Sequence, residues 1–347
     1  MSAHMTRQCL FSQGLKSLQH HPVRTGHSSH IPLRLKGLIH GERLTFPLYL
    51  KAGDSQSENF AYFPYLDAGE VFDCRWLEPL VNLGIKGLYF HRTDLGNVLA
   101  YLNNHLQLLE MEGPAQAKKK FMVLAEHLSL TLRQVMTAPR LGAHIGLAVN
   151  QVDRIIEELQ KDKHYPKMVW EILFRNYSLY NHAVNVCLLA VAMTLFLQKP
   201  QREGRLLGSV ALVLDLGMTR ISNHILYKSE SLNPEEWEET KTHPLIGVQI
   251  LKRYPILSAE GIQLVREHHE NADGSGYPAG LCLHRQHPWT RIVRLVDAYD
   301  ALTTHRPHRP AQTPFAALKV LQKEEGPEGP VFDRRTLRDF IRFLAIC

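Results

Sequence analysis

Two adjacent histidines, His268 and His269, end an apolar helical pattern and precede a glycine-punctuated loop, Asp273-Gly274-Ser275-Gly276-Tyr277-Pro278. Neighbours on a helix point about 100° apart. The pair can therefore serve two neighbouring ions, or one ion and one substrate oxygen. Four further residues of the same chemistry sit in apolar surroundings. His182 belongs to a helical run that reaches Leu197, and Asp215 interrupts the apolar stretch from Leu206 to Gly217. His243 precedes Pro244, Ile246, Val248, Ile250 and Leu251, and Asp297 is embedded between Ile292 and Tyr299. A carboxylate in such a run needs a cation or several donors to offset its lost hydration. Any one of these side chains reads as structural. Together, on consecutive apolar helices, they read as metal ligands facing inward. Imidazole and carboxylate suit manganese, iron or zinc, and helical bundles that project such groups inward build two-metal sites. The positive charge that two aspartates leave over is one that a phosphodiester and a hydroxide can neutralise.

The elements that must position these residues follow from pattern. The chain has 347 residues, 44% apolar and 21% charged, as in globular proteins. Residues 1–30 mix His, Ser, Arg and Gln with few apolar residues and read as a tail. Residues 31–112 read as a small α/β regulatory module. Leu44, Phe46, Leu48 and Leu50 alternate as in a strand, with Pro47 marking an edge. Asn59–Leu66 and Lys86–Phe90 read as further strands, and Asp73 and Asp94 as helix caps. Residues 113–165 are helical throughout and read as a connector that packs on the next domain or on a second copy, making a homodimer a candidate assembly. Residues 166–347 read as a succession of helices, one from about Met168 to Leu197, one from Arg205 to Leu216, and one opened by Asn233 and Pro234. The overall class is α+β.

Net charge is +6 with Lys and Arg scattered, so no basic run marks a DNA-binding face. The five cysteines form no CxxC pair, which fits a reducing compartment. Met1 to Thr25 lacks the apolar core of a secretory leader, and the run Val186–Leu197 is too short to span a bilayer. A cytoplasmic location is expected.

From about Tyr177 to Leu344 the sequence resembles an HD-GYP domain, the bacterial phosphohydrolase family that opens cyclic di-GMP. The resemblance rests on His243-Pro244 with Gly247, on His268-His269-Glu270, on the Asp273–Pro278 loop, and on Asp297 through Asp300-Ala301-Leu302-Thr303 to Arg306-Pro307. It implies an all-α domain binding one or two divalent ions, iron or manganese, through His182, Asp215, His243, His268, His269 and Asp297. Asp215 would be the bridge, and Asp215, His268 and His269 would form the catalytic centre. Gly276, Tyr277 and Pro278 would shape the mouth of the site, and Arg306 and Arg309 would meet substrate phosphate.

The sequence departs from the family pattern at three positions. Leu214 stands where the namesake His–Asp pair has His, and leucine cannot coordinate an ion. Ser178 stands where three-metal members carry Glu. Met218 stands where Lys is common, and Lys228 is the candidate replacement. Two functions stay open. One is a metal-dependent cyclic di-GMP phosphodiesterase weakened by Leu214. The other is a catalytically silent module that binds a cyclic dinucleotide or a signalling partner such as a diguanylate cyclase.

Overall fold

The computed structural model describes residues 29–53, 60–112, 116–137, 141–175, 177–226, 228, 230–306, 309–327 and 329–347. The tail read over residues 1–30 lies outside them up to residue 28. The chain divides into two compact units, Met1–Leu130 and Thr131–Cys347.

The first unit is built on a four-stranded antiparallel sheet. Its strands are β1 (His30–Arg34), β3 (Leu48–Gly53), β4 (Phe60–Leu66) and β6 (Gly87–His91), in the order β1-β6-β3-β4. Two short strands, β2 (Glu42–Arg43) and β5 (Val71–Phe72), pair separately. Period-two alternation buries one face, with Ile31 opposite Phe90 and Leu33 opposite Leu88. Helix α1 (Cys74–Asn82) starts at Asp73, whose carboxylate accepts from Arg75 N. Helix α2 (Leu95–Met111) turns Val98, Leu102 and Leu106 into the core. The buried Phe46 ring bridges sheet and helix, 6.2 Å from Phe90 and 5.4 Å from Tyr101. Two expectations are corrected here. The strand near Pro47 lies between two others, because it begins at Leu48 and the missing proline N–H falls outside its ladder. Asp94 holds the N-cap position without a side-chain bond, and His91 caps the preceding 3-10 turn.

The residues read as a connector contain α3 (Ala117–Thr137) and α4 (Leu141–Gln160), and the division between units falls within α3. The second unit continues with α5 (Tyr165–Ile172), α6 (Leu179–Phe196), α7 (Gln201–Val213), α8 (Asn223–Leu226) and α9 (Pro234–Thr240). Then come α10 (His243–Leu251), α11 (Ala259–Glu267), α12 (Pro288–Thr303), α13 (Pro314–Lys323) and α14 (Arg334–Leu344). Phe340 and Phe343 of α14 are fully buried against Tyr299 of α12 and Phe196 of α6, at 5.0 and 5.8 Å. Among the described residues the unit is helical apart from the paired two-residue strands Glu325–Gly326 and Gly329–Pro330 and two isolated bridges, Asp273–Cys282 and Arg306–Arg309.

The single helix expected from Met168 to Leu197 is two. The Asn185 amide accepts from Phe174 N at 2.8 Å and donates to Phe174 O at 2.9 Å, which satisfies the backbone at the break. Ser178 then caps α6 by accepting from Asn181 N. His182 is thereby in the first turn of α6, not near a helix middle. Every residue of α6 from His182 to Thr194 is buried. This helix has the length and apolarity of a membrane-crossing segment, and most of it is buried within this unit.

Candidate metal centre

His182 enters from the start of α6 and Asp297 from α12. Asp215 was expected inside a helix. It lies just past the end of α7, where the chain passes into a 3-10 turn, Leu216–Arg220. That turn is pressed onto the first turn of α10, so closely that a Cβ on Gly217 would overlap the His243 carbonyl. Glycine at 217 is what lets Asp215 reach His243, the first residue of α10. His268 is the C-cap of α11 and His269 follows it into the loop.

The two oxygens of Asp215 face different partners. Oδ1 lies 3.2 Å from His243 Nε2 and 3.8 Å from His268 Nε2. Oδ2 lies 3.6 Å from His182 Nε2. Asp297 is similarly divided, with Oδ1 2.9 Å from His182 Nε2 and Oδ2 3.8 Å from His269 Nδ1. His243 Nε2 and His268 Nε2 are 3.1 Å apart. One donor atom each from Asp215, His243, His268 and His269 falls within 4.8 Å of the others. Ligand bonds of about 2.1 Å set neighbouring donors about 3 Å apart and opposite ones about 4.2 Å apart. This set therefore fits a divalent ion with little rearrangement.

The tautomers follow from the acceptors. His243 Nδ1 lies 2.7 Å from the Thr240 carbonyl, and His268 Nδ1 lies 2.7 Å from the Val265 carbonyl. A carbonyl can only accept, so both Nδ1 atoms carry hydrogen and both Nε2 atoms turn toward Asp215. His182 Nδ1 lies 2.7 Å from Asp300 Oδ2. Asp300 is held in turn, with Oδ1 accepting from Asn185 Nδ2 at 2.7 Å and Thr304 Oγ1 at 3.1 Å.

Charge is balanced internally. Burial pushes His182 down, but Asp297 and Asp300 outweigh it and raise its pKa to about 10. Burial likewise opposes ionisation of Asp215, and His243 and His268 overcome it, holding Asp215 well below the carboxylate range. Asp297 is lowered against its burial, chiefly by the His182 hydrogen bond. Burial and then the neighbouring His268 hold His269 well below the ordinary imidazole value. His243 rises despite burial because Asp215 accepts from it.

The loop after His269 folds back against the cluster. A Cβ on Gly276 would overlap the backbone of Asn271 and His269, so only glycine allows this fold-back. Tyr277 then lies against His269, ring centroids 4.7 Å apart, and the half-buried Pro278 follows through a cis bond. Burial, then Asp297 and Asp215, raise the Tyr277 phenol strongly. Glu270 pins the loop by accepting from Ala279 N and Leu281 N, both at 2.7 Å. On the other side, Arg306 lies 4.2 Å from the centre of the Tyr177 ring, which is 6.0 Å from the His182 ring. Arg306 and Arg309 face each other across a backbone bridge, and the Nε of each is buried without a hydrogen-bond partner among the described residues. Lys228 is engaged elsewhere, donating to Glu236 at 2.6 Å. Leu214, fully buried, offers no donor.

Sequence reasoning gave no role to Asp300, Glu270 or Tyr177. Asp300 and Glu270 stood beside named ligands, and a buried acid next to a metal-ligating histidine is a usable signal. Tyr177 carried none.

Residues 167–330 match the family model described as HD domain. A cyclic di-GMP phosphodiesterase of Pseudomonas aeruginosa is 30% identical over 167 residues, 48% of this chain and 39% of the relative. The cyclic di-GMP phosphodiesterase response regulator of Xanthomonas campestris is 34% identical over 143 residues, 41% of this chain and 37% of the relative. A 3'3'-cGAMP-specific phosphodiesterase of Vibrio cholerae is 33% identical over 117 residues, 34% of this chain and 25% of the relative. The chain thus spans well under half the length of these relatives. The solved structure of an HDG"Y"P protein from Bdellovibrio bacteriovorus has the same fold, with a TM-score of 0.68 at 18% identity, covering 91% of this chain and 99% of that one. Residues 167–330, which carry the clustered histidines and aspartates, match the HD domain family and are similar to the corresponding parts of cyclic di-GMP phosphodiesterases.

Proposed function

We propose that this chain is a metal-dependent phosphodiesterase that opens cyclic di-GMP. One observation carries the reading. Asp215 turns Oδ1 to His243 and His268 and Oδ2 to His182, the posture of a carboxylate shared between two ion positions. His243, His268 and His269 would hold one ion with Asp215, and His182 and Asp297 would complete the other. The donor set suits iron or manganese. A bound divalent ion supplies Lewis-acid charge for phosphodiester hydrolysis.

The chain's own residues do the rest. The Thr240 and Val265 carbonyls and Asp300 fix the imidazoles, so their ligand nitrogens need no reorientation. Arg306, stacked on Tyr177, would meet phosphate oxygens through its Nη atoms, while Arg309 donates through Nη2 to the Ala301 carbonyl and would shape the approach. Tyr277 and the loop held by Glu270 cover part of the His269 ring. Leu214 removes the imidazole that the family pattern places beside Asp215, so one ion, held by Asp215, His243, His268 and His269, is the expected resting state.

The buried Leu214 also favours a second reading, a silent module that binds a cyclic dinucleotide and signals to a partner such as a diguanylate cyclase. One experiment separates them. The purified chain is incubated with cyclic di-GMP and Mn²⁺ or Fe²⁺, beside Asp215→Ala and Leu214→His. Turnover by the native chain that vanishes in Asp215→Ala supports the enzyme. Turnover seen only after Leu214→His supports the silent module.

A further inference from the structure

The centre has two unlike walls. On the His182 side stand Tyr177, Arg306 and Arg309, with unpartnered guanidinium Nε groups. On the His269 side a file of rings leads outward. Tyr277 lies 4.7 Å from His269 at a tilt of 31°, and Trp237 meets Tyr277 edge-on, 6.2 Å away at 84°. Trp237, on α9, leaves 47% of its surface exposed.

Its support is rigid. Asn233 and Glu236 form a reciprocal capping box at the start of α9. Glu236 also receives Lys228 at 2.6 Å, and Glu239 accepts from Ser222 N at 3.3 Å. These bonds tie α9 to the segment after the Asp215 turn from both carboxylates that flank Trp237. A large, half-bare ring on a fixed helix beside a metal centre is a stacking platform, because every nucleobase presents a π-face.

We propose that Trp237 stacks on a nucleobase of the substrate and contributes to selection of nucleotides over simpler phosphate esters. The inference rests on the phosphodiesterase reading and deepens it. The ligand class is a purine nucleotide, with its phosphate toward the arginines and its base toward Trp237.

The test is binding rather than turnover. The full chain, loaded with Mn²⁺, is titrated calorimetrically with GMP and separately with ribose 5-phosphate. Native protein is compared with Trp237→Ala and Trp237→Phe. Stacking on an aromatic side chain predicts that Trp237→Ala weakens GMP binding by roughly 5- to 150-fold. Ribose 5-phosphate should change by less than about twofold, and Trp237→Phe should recover most of the GMP affinity. Equal losses for both ligands, an unchanged GMP affinity in Trp237→Ala, or no GMP binding by the native chain would each overturn the proposal. Turnover of cyclic di-GMP with unaltered nucleotide binding in Trp237→Ala sinks the stacking role alone. A base-dependent loss without any turnover by the native chain or Leu214→His sinks the enzyme and leaves the platform.

Discussion

His182 Nδ1 lies 2.7 Å from Asp300 Oδ2, and that one buried bond sets which face His182 shows to Asp215 and Asp297. Asp300 itself accepts from Asn185 and Thr304. Replacing it by Ala leaves those donors bare and lets the ring turn. Asp300→Ala should lower the affinity of the His182 side for Mn²⁺ by roughly 10- to 100-fold, the usual loss for such an orienting partner. Metal titration of Asp300→Ala in the native and Leu214→His backgrounds reads it. An unchanged affinity there would count against the orienting role.

The metal-free protein should lose stability as pH rises. His182 has a folded pKa of about 10 against an ordinary 6.5, so folding binds its proton more tightly. The contribution is fully present below about pH 6.5 and is lost as pH climbs through the folded value. Calorimetric melting in chelator should show Tm falling between pH 7 and 10. His182→Gln should flatten that slope relative to the native chain. Parallel slopes in the two proteins would show that other groups titrate instead.

Leu214 bears on ion number. Elemental analysis after loading with Mn²⁺ should give about one ion per chain for the native protein and about two for Leu214→His, where an added imidazole next to Asp215 supplies a further donor. Two tightly held ions in the native chain would show that His182, Asp215 and Asp297 suffice without a fourth donor.

Gly217 tests how closely the Asp215 turn must lie on α10. A methyl group there meets the His243 carbonyl, and forced overpacking destabilises by about 1–3 kcal/mol. Gly217→Ala should lower Tm and weaken Mn²⁺ binding together. The control Gly96→Ala sits where an added Cβ has open space. It should change neither beyond the few tenths of a kcal/mol typical of exposed positions, about 0.5 at most.

Much of this was legible before any coordinates. His243 and Asp297 sit in apolar runs where ionisable groups are costly unless used, and the structure brings both into the same cluster as the other named ligands. The α+β organisation followed from alternation in the first part and three-four spacing in the second. What pattern could not show was where helices stop. The break between α5 and α6 depends on Asn185 bonding back to Phe174, and Asp215 leaves α7 because Gly217 must meet α10. Both are contacts between residues far apart in sequence or in different elements. Tyr177 was hidden for the same reason, since only the fold sets it beside Arg306 and His182.

Each of the rings of His243 and His268 is steered by a carbonyl three residues upstream, Thr240 and Val265. Their aim is therefore written into single turns of backbone and does not wait for a guest. Ions should come and go from such a cradle by simple exchange, so that stripping with chelator and refilling with a different transition metal needs no unfolding. The identity of the resident ion would then reflect what the surroundings supply as much as what the protein selects.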